Sequence, residues 1–408
     1  MELSNTFRVF SSRNYCLFFT GQLVSRIGTW MQRTAVIWIV YTMSHSVLWV
    51  GFATFAEQFP SFILSPSGGI VADRHARNKV ILITQTISAL QAVALAAVYH
   101  WVPNLWSILS LSFILGVANA YDLPARQAMV NDMVDKKEDL PSAIAMNASL
   151  NNFSRLFGPA IAGIVLAKLG ATVCFTSNAI SFIAVIFCIL LMRFPHRHLL
   201  NNKNQSPWKD FKEGLRYTKL NENIYKMLSL IAVLCFFVST YNTLQPYYAK
   251  DVFRGDADIY GYINAATGFG ALISTLFLAS IKDVNVLKKQ LFYNLILLGV
   301  GLIVLSHIHI LLLYLFFCAV CGFGVMSIMP IGNTIVQMTS SYEMRGRIVA
   351  FYAMCTMGMM PLGSLFIGWI AKTIAPQNCM LCQGIMCLAV IVMFRHFLNE
   401  KKPIAIKD

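Results

Sequence analysis

Long apolar runs and short polar breaks alternate along the whole chain. Twelve such runs stand out, at 14–42, 47–71, 79–99, 105–128, 142–168, 172–193, 226–249, 259–281, 289–306, 309–337, 347–372 and 377–397. An α-helix crosses the ~30 Å hydrocarbon layer with about 20 apolar residues. Each run is therefore predicted to be one transmembrane helix. A transmembrane β-barrel needs short, alternating segments, and these runs are too long and too continuously apolar for that.

The longest polar break runs from Phe194 to Tyr225 and carries Arg197, Lys203, Lys209, Lys212, Arg216 and Lys219. It divides the chain into an N-terminal six-helix bundle at 1–193, a cytoplasmic linker at 194–225 and a C-terminal six-helix bundle at 226–408. Within the linker, Pro207 to Tyr217 is patterned as an amphipathic helix, with Trp208, Phe211 and Leu215 expected to lie on the inner membrane surface. The halves repeat. Gly51 and Asp73 are spaced as Gly261 and Asp283 are, with Lys79 and Lys289 following at the same offset. Pro124, Gly158, Gly163 and Lys168 align with Pro330, Gly363, Gly368 and Lys372 after one-residue slips. The predicted fold class is an all-α membrane protein with two pseudo-symmetric six-helix bundles. Duplication of this kind is a transporter architecture, with the site at the interface of the repeats.

Composition agrees with this pattern. Of 408 residues, 57% are hydrophobic and 12% charged, against about 25% charged in soluble domains; the mean hydropathy is +0.62. A soluble enzyme and a disordered chain are both excluded. The net charge of +14 could indicate nucleic-acid binding, but no zinc finger, basic helix or RNA-recognition motif is present. Lys and Arg instead gather on the side shared by both termini and the linker. Lys168, Lys250, Arg254 and Lys372 fall on the other side. The positive-inside rule then places both termini in the cytoplasm. No cleavable signal peptide is expected, because Met1 to Arg13 is polar and the first apolar run is too long. Most of the ten cysteines sit in apolar runs and behave as small hydrophobes. Cys379 and Cys382 form a lone CxxC without a second pair, so no metal site is predicted. With no GxxxxGK[ST], no HExxH and no nucleophile–base set, neither an enzyme nor a cofactor is expected.

Charges inside a bilayer are costly and mark function by default. Gln22, Arg26, Thr29 and Arg33 recur at helical spacing on one face of the first run. Glu57 lies ~16 Å into the second run and Arg26 ~18 Å into the first, so the two are expected to face one cavity and to pair. Glu57 is the first candidate for proton coupling, because desolvation and a nearby Arg act oppositely on a carboxyl group. The competing reading is a static pair that only fixes packing. Asn147, Asn151 and Arg155 share a face of the fifth run. Arg26, Arg33 and Arg155 outnumber Glu57, which predicts an anionic or carboxylate-bearing substrate. The bland alternative has Arg155 on backbone carbonyls or lipid phosphate. The second half offers uncharged candidates for the cavity: Tyr241, Asn242, Gln245, Asn264, Thr267, Asn333, Gln337 and Met357. Each could equally be a packing residue.

The segment Gly69-Ile-Val-Ala-Asp73-Arg74-His-Ala-Arg77-Asn-Lys79 resembles the loop signature of the major facilitator superfamily, G-x-x-x-D-R-x-G-R-R. Gly69, Asp73, Arg74 and Arg77 match, whereas Ala76 and Asn78 depart from it. Asp122-Leu-Pro-Ala-Arg126-Gln, Gly158-Pro-Ala-Ile-Ala-Gly163, Lys212-Glu-Gly-Leu-Arg-Tyr and Arg345-Gly-Arg347 narrow the resemblance to the branch holding the enterobactin exporter and drug and macrolide efflux proteins. The resemblance implies alternating-access export driven by proton entry, with a siderophore as favoured substrate and drugs as further passengers. It also implies a gate in which Asp122 pairs with Arg77, Asp73 caps the start of the 347–372 helix, and Arg345 and Arg347 make gate or lipid contacts. Asp122 is the second candidate for proton coupling. Expected partners are a small-molecule substrate, protons and membrane lipid, with no nucleic acid. Monomer is the default for the fold, and the expected location is the bacterial inner membrane. The alternatives on the same fold are uptake of a metal-chelate and flipping of a lysophospholipid; a non-transporting receptor is a weaker reading.

Overall fold

The computed structural model describes residues 8–134, 137–193, 207–279 and 284–399. Among them the regular structure is helical throughout. We label the principal helices α1 (Arg13–Ser44), α2 (Val47–Arg74), α3 (Arg77–Trp101), α4 (Leu105–Met133), α5 (Leu140–Leu169), α6 (Ala171–Leu191), α7 (Pro207–Leu220), α8 (Glu222–Val252, interrupted), α9 (Ala257–Ala279), α10 (Val284–His307), α11 (Leu311–Thr339), α12 (Arg345–Ile370) and α13 (Pro376–Asn399). Ten of the described helices are long and apolar enough to cross a membrane. Two others, α1 and α5, have the length but carry the Arg and amide residues singled out above.

Short connections make antiparallel hairpins. His45, with φ 46°, reverses the chain between α1 and α2. The side chain of Asn104 accepts from Trp106 N at 2.8 Å and caps α4, satisfying a donor that the first turn leaves open. Gly170, with φ 81°, joins α5 to α6 in a conformation that suits glycine.

The chain forms two compact units. The first comprises Met1–Ser44, Ala56–Asn202 and Asp256–Gly261. Its buried cluster includes Tyr15, Phe18, Ile81, Met129, Met133, Val185 and Ile189. An amide ladder crosses it: Asn178 donates to Gln32 Oε1 at 2.8 Å, and Gln32 donates to Gln91 Oε1 at 3.0 Å. In a lipid setting such amides hold helices together, because an unpaired one is costly. On α2, Pro60 has no N–H for the carbonyl of Ala56. Gly116 of α4 closes on that stretch so tightly that a Cβ there would overlap the Glu57 carbonyl oxygen. Ser61 completes the seam by donating to Gly116 O at 2.9 Å. The backbone that carries Glu57 is thereby fixed.

The second unit comprises His45–Phe55, Lys203–Gly255 and Tyr262–Asp408. It repeats the device: a Cβ on Gly322 of α11 would overlap the carbonyl oxygen of Thr267 on α9. Thr267 occupies the position that the sequence repeat assigns to the counterpart of Glu57.

Two expectations are corrected within this unit. The 226–249 run is not a regular helix. Glu222–Val233 is α-helical, Leu234–Val238 widens to a π-turn, and Ser239–Leu244 tightens to 3₁₀. Pro246 supplies no N–H to the Asn242 carbonyl, which accepts from Gln245 N instead. Gln383 of α13 bonds the loosened turn, donating to Phe237 O at 2.9 Å and Thr240 Oγ1 at 3.0 Å. The second correction concerns α7, which forms where expected but turns Phe211 onto Phe351 of α12, with centroids 5.2 Å apart. Glu213 pairs with Arg347 at 3.0 Å, Tyr217 Oη accepts from Ser341 N at 3.1 Å, and Leu215 stays exposed. Burial pushes the Tyr217 phenol up, but its hydrogen bonds to Ser341 and Asn221 outweigh that and leave it below the ordinary range. The Trp208 side chain lies outside the described residues.

Candidate functional site

The embedded carboxylate of the first unit is Glu57, whose side chain is 9% exposed. Its partner is Arg33, not Arg26 as expected. Arg33 Nε donates to Oε1 at 2.9 Å and Oε2 at 3.0 Å, and Nη2 lies 2.8 Å from Oε1. Position along the hairpin explains the choice. At 1.5 Å per residue, Arg33 is ~17 Å and Glu57 ~15 Å from the α1–α2 turn, whereas Arg26 is ~27 Å from it. Helical spacing places both Arg residues on one face, and depth selects Arg33.

Arg26 turns instead to α5. It donates through Nη1 to Asn151 Oδ1 and through Nη2 to Asn147 Oδ1, the latter at 3.4 Å. Arg155, one turn beyond Asn151, faces α1 as well, with its guanidinium carbon 5.7 Å from the Trp30 ring centroid. Arg33 lies 5.0 Å from the same ring. Trp30 was not among the sequence candidates. Its spacing of three residues from Arg33 and four from Arg26 was the available signal. Thr29 bonds its own helix at Ser25 O, 2.8 Å. Gln22 is fully buried and accepts from Arg126 of α4.

The expected Asp122–Arg77 pair does not form. Asp122, 4% exposed, pairs with Arg126 one turn away on α4. Arg77 pairs with Asp132 at 2.9 Å and donates to Ala128 O at 2.7 Å. Hairpin depth again decides. Arg77 is ~36 Å from the α3–α4 turn, near Ala128 and Asp132, while Asp122 is level with Thr84 at ~26 Å. Of the loop signature, Asp73 is exposed and 4.0 Å from Arg77, and Arg74 is exposed. A Cβ on Gly69 would meet nothing, whereas one on Gly68 would overlap the Ala120 carbonyl oxygen; close packing belongs to Gly68.

In the second unit, Tyr241 is buried, Asn242 is exposed and Gln245 is buried on the irregular part of α8. Gln245 donates to Thr267 Oγ1 at 3.4 Å. Gln337 donates to Asn333 on its own helix at 3.1 Å. Asn264 is half-buried, and Met357 is 47% exposed. Arg345 lies over Tyr342 at 5.8 Å, and Arg347 is held by Glu213.

A family model described as transmembrane secretion effector matches residues 4–406. The chain is 26% identical over 400 residues to the staphyloferrin A transporter of Staphylococcus aureus, covering 96% of this chain and 98% of that one. It is 21% identical over 417 residues to macrolide efflux protein A of Streptococcus pyogenes, covering all of both. The crystal structure of nucleoside transporter NupG superposes with a TM-score of 0.73 at 14% identity, over 95% of this chain and 100% of that one. These matches are to transport proteins, not enzymes.

Proposed function

The chain belongs to the transmembrane secretion effector family of major facilitator efflux transporters, and from that premise we propose that it exports an anionic or amphipathic small molecule in exchange for protons. The favoured substrate is a carboxylate-bearing siderophore, with drugs as further passengers. Alternating access moves the substrate. Arg33, held by Glu57, and Arg155 both lie over the Trp30 ring, and Arg26 stands two turns along α1 from Arg33; this gathering of guanidinium groups is the observation supporting an anionic cargo. Similarity to a staphyloferrin A transporter supports the siderophore class.

Glu57 carries the proton in this reading. The coupling step is a rearrangement that exchanges the Arg33 contact for a proton. Arg77, Asp132 and Asp73 act at the gate. The protein works in the bacterial inner membrane with both termini in the cytoplasm.

The test is proton movement in proteoliposomes on adding citrate-type or catecholate siderophores, macrolides or lysophospholipids. Proton flux with an anionic siderophore is the expected result. Flux without any proton movement overturns the antiport, and movement of lysophospholipid alone replaces export by lipid flipping. Accumulation in intact cells rather than depletion would reverse the direction and make this an uptake protein.

A further inference from the structure

Away from the Arg33–Glu57 pair, the first unit holds a second charged cluster built from α1, α3 and α4. Asp122 is its anion, and its hydrogen-bonding capacity is well used. Oδ1 accepts from the Thr84 hydroxyl and from Gln85 Nε2, both at 2.9 Å. Oδ2 accepts from Arg126 Nη2. Arg126 Nη1 donates to the carbonyl oxygen of the Gln22 side chain.

The cations are not used up in the same way. Arg26 stands one helical turn from Gln22 on α1, and the charges near it are Arg126 and Asp122. Its hydrogen-bond acceptors are the neutral amides Asn147 and Asn151. Two guanidiniums therefore stand near one carboxylate, which pairs with Arg126 and not with Arg26. Three buried N–H groups in this cluster have no acceptor among the described residues: Arg26 Nε, Arg126 Nε and Gln22 Nε2. Gln22 is 0% exposed. A buried donor without a partner is costly, as is surplus charge at membrane depth. Packing alone does not account for the three together, because each unpaired donor carries a cost that packing does not return. Surplus positive charge and spare donors on adjacent turns call for one more anion with several acceptor oxygens.

We propose that Arg26, Arg126 and Gln22 form a binding subsite for one carboxylate of the transported molecule, with Asp122 as a resident carboxylate that competes for Arg126. A carboxylate suits the donors because its two oxygens present about four lone-pair directions, enough for guanidinium and amide N–H groups at once. Thr84 and Gln85 keep Asp122 satisfied when Arg126 turns toward the cargo. The subsite rests on the export reading only for the identity of its occupant.

The test is equilibrium binding to the full chain in phosphatidylcholine nanodiscs at one neutral pH. Citrate is the probe, and its uncharged triamide analogue is the control. Wild type binds citrate and not the triamide. Arg26→Gln weakens citrate binding about tenfold, the loss of one charge-assisted hydrogen bond, while Asp122–Arg126 stays intact and the unfolding midpoint is kept. Asp122→Asn tightens citrate binding several-fold by removing the competitor, a gain that a packing role would not give. The charge-balanced double variant Asp122→Asn/Arg126→Gln loses binding without stranding a carboxylate. Failure of wild type to bind citrate, equal binding of the triamide, or affinities unchanged in Arg26→Gln and Asp122→Asn would each overturn the subsite. Displacement of citrate by phosphatidylglycerol in wild type but not in Arg26→Gln would assign the cluster to a lipid headgroup and overturn it too. Export is read separately by vesicle flux: flux absent with citrate binding intact removes the export reading alone, and flux present with binding indifferent to Arg26 removes the subsite alone.

Discussion

Arg33 grips Glu57 through two nitrogens: its single Nε–H is shared between both carboxylate oxygens at 2.9 and 3.0 Å, and Nη2 lies 2.8 Å from Oε1. The carboxylate is the more deeply buried partner. A buried pair gains little over well-packed apolar residues, but stranding one member costs ~3–5 kcal/mol. Arg33→Ala should therefore lower the unfolding midpoint strongly, and Arg33→Gln/Glu57→Gln should recover most of the loss. Thermal unfolding in detergent measures both.

The same pair makes a functional prediction. Glu57→Gln should abolish transport driven by a pH gradient and leave substrate exchange across the membrane intact, because the binding groups remain. Vesicles assayed in both modes separate the two. Gradient-driven transport at the wild-type rate in Glu57→Gln would move the coupling to another carboxylate, with Asp122 next.

Two guanidiniums, those of Arg33 and Arg155, lie over the Trp30 ring at 5.0 and 5.7 Å. Each cation–π contact is worth ~0.5–1 kcal/mol or more when desolvated. Trp30→Leu should release both side chains and raise the KM for an anionic substrate about fivefold, while Trp30→Phe keeps part of the attraction and falls between. A KM identical for all three would remove Trp30 from the site.

Gly116 and Gly322 occupy matching seams, each under a backbone carbonyl of the neighbouring helix. An Ala Cβ at either position meets backbone, which cannot rotate away as a side chain can. Gly116→Ala and Gly322→Ala should each cost ~1–3 kcal/mol, visible as a lower unfolding midpoint. Gly69→Ala, with open space around the added Cβ in the interior of α2, should instead raise the midpoint slightly, because Ala suits a helix interior better than Gly by ~0.5–1 kcal/mol.

The apolar runs made most of the helices legible, because hydrophobic length is the dominant constraint in a bilayer. The pairing of charges was less legible. Periodicity assigns residues to a face, and it put Arg26 and Arg33 on the same one. Which of them meets Glu57 depends on depth, and depth follows from counting outward from the hairpin turn. The same count separates Asp132 from Asp122 as the partner of Arg77. Trp30 escaped because an aromatic residue in an apolar run carries no signal of its own; its meaning comes from Arg155, on a distant stretch of chain. The break in α8 escaped because its cause is divided between Pro246 nearby and Gln383 far along the sequence.

That break yields the last prediction. Gln383 donates to Phe237 O and Thr240 Oγ1, supplying a partner to a carbonyl on the widened turn. Gln383→Leu preserves volume but removes the stronger donor, leaving the part-buried Phe237 carbonyl only the longer contact from Thr240 Oγ1 at 3.4 Å, at a cost of ~1 kcal/mol. The α8 backbone should then exchange amide hydrogens faster around 234–248, with the rest of the second unit less affected. Pro246→Ala restores an N–H that can reach the Asn242 carbonyl and return the segment toward a regular helix, in which the Phe237 carbonyl finds the Tyr241 N–H. The double variant Pro246→Ala/Gln383→Leu should therefore exchange more slowly than Gln383→Leu alone. Rescue would show that the irregular turn is set by Pro246 and secured by Gln383, and equal exchange in the two variants would put its origin elsewhere in the α8 sequence.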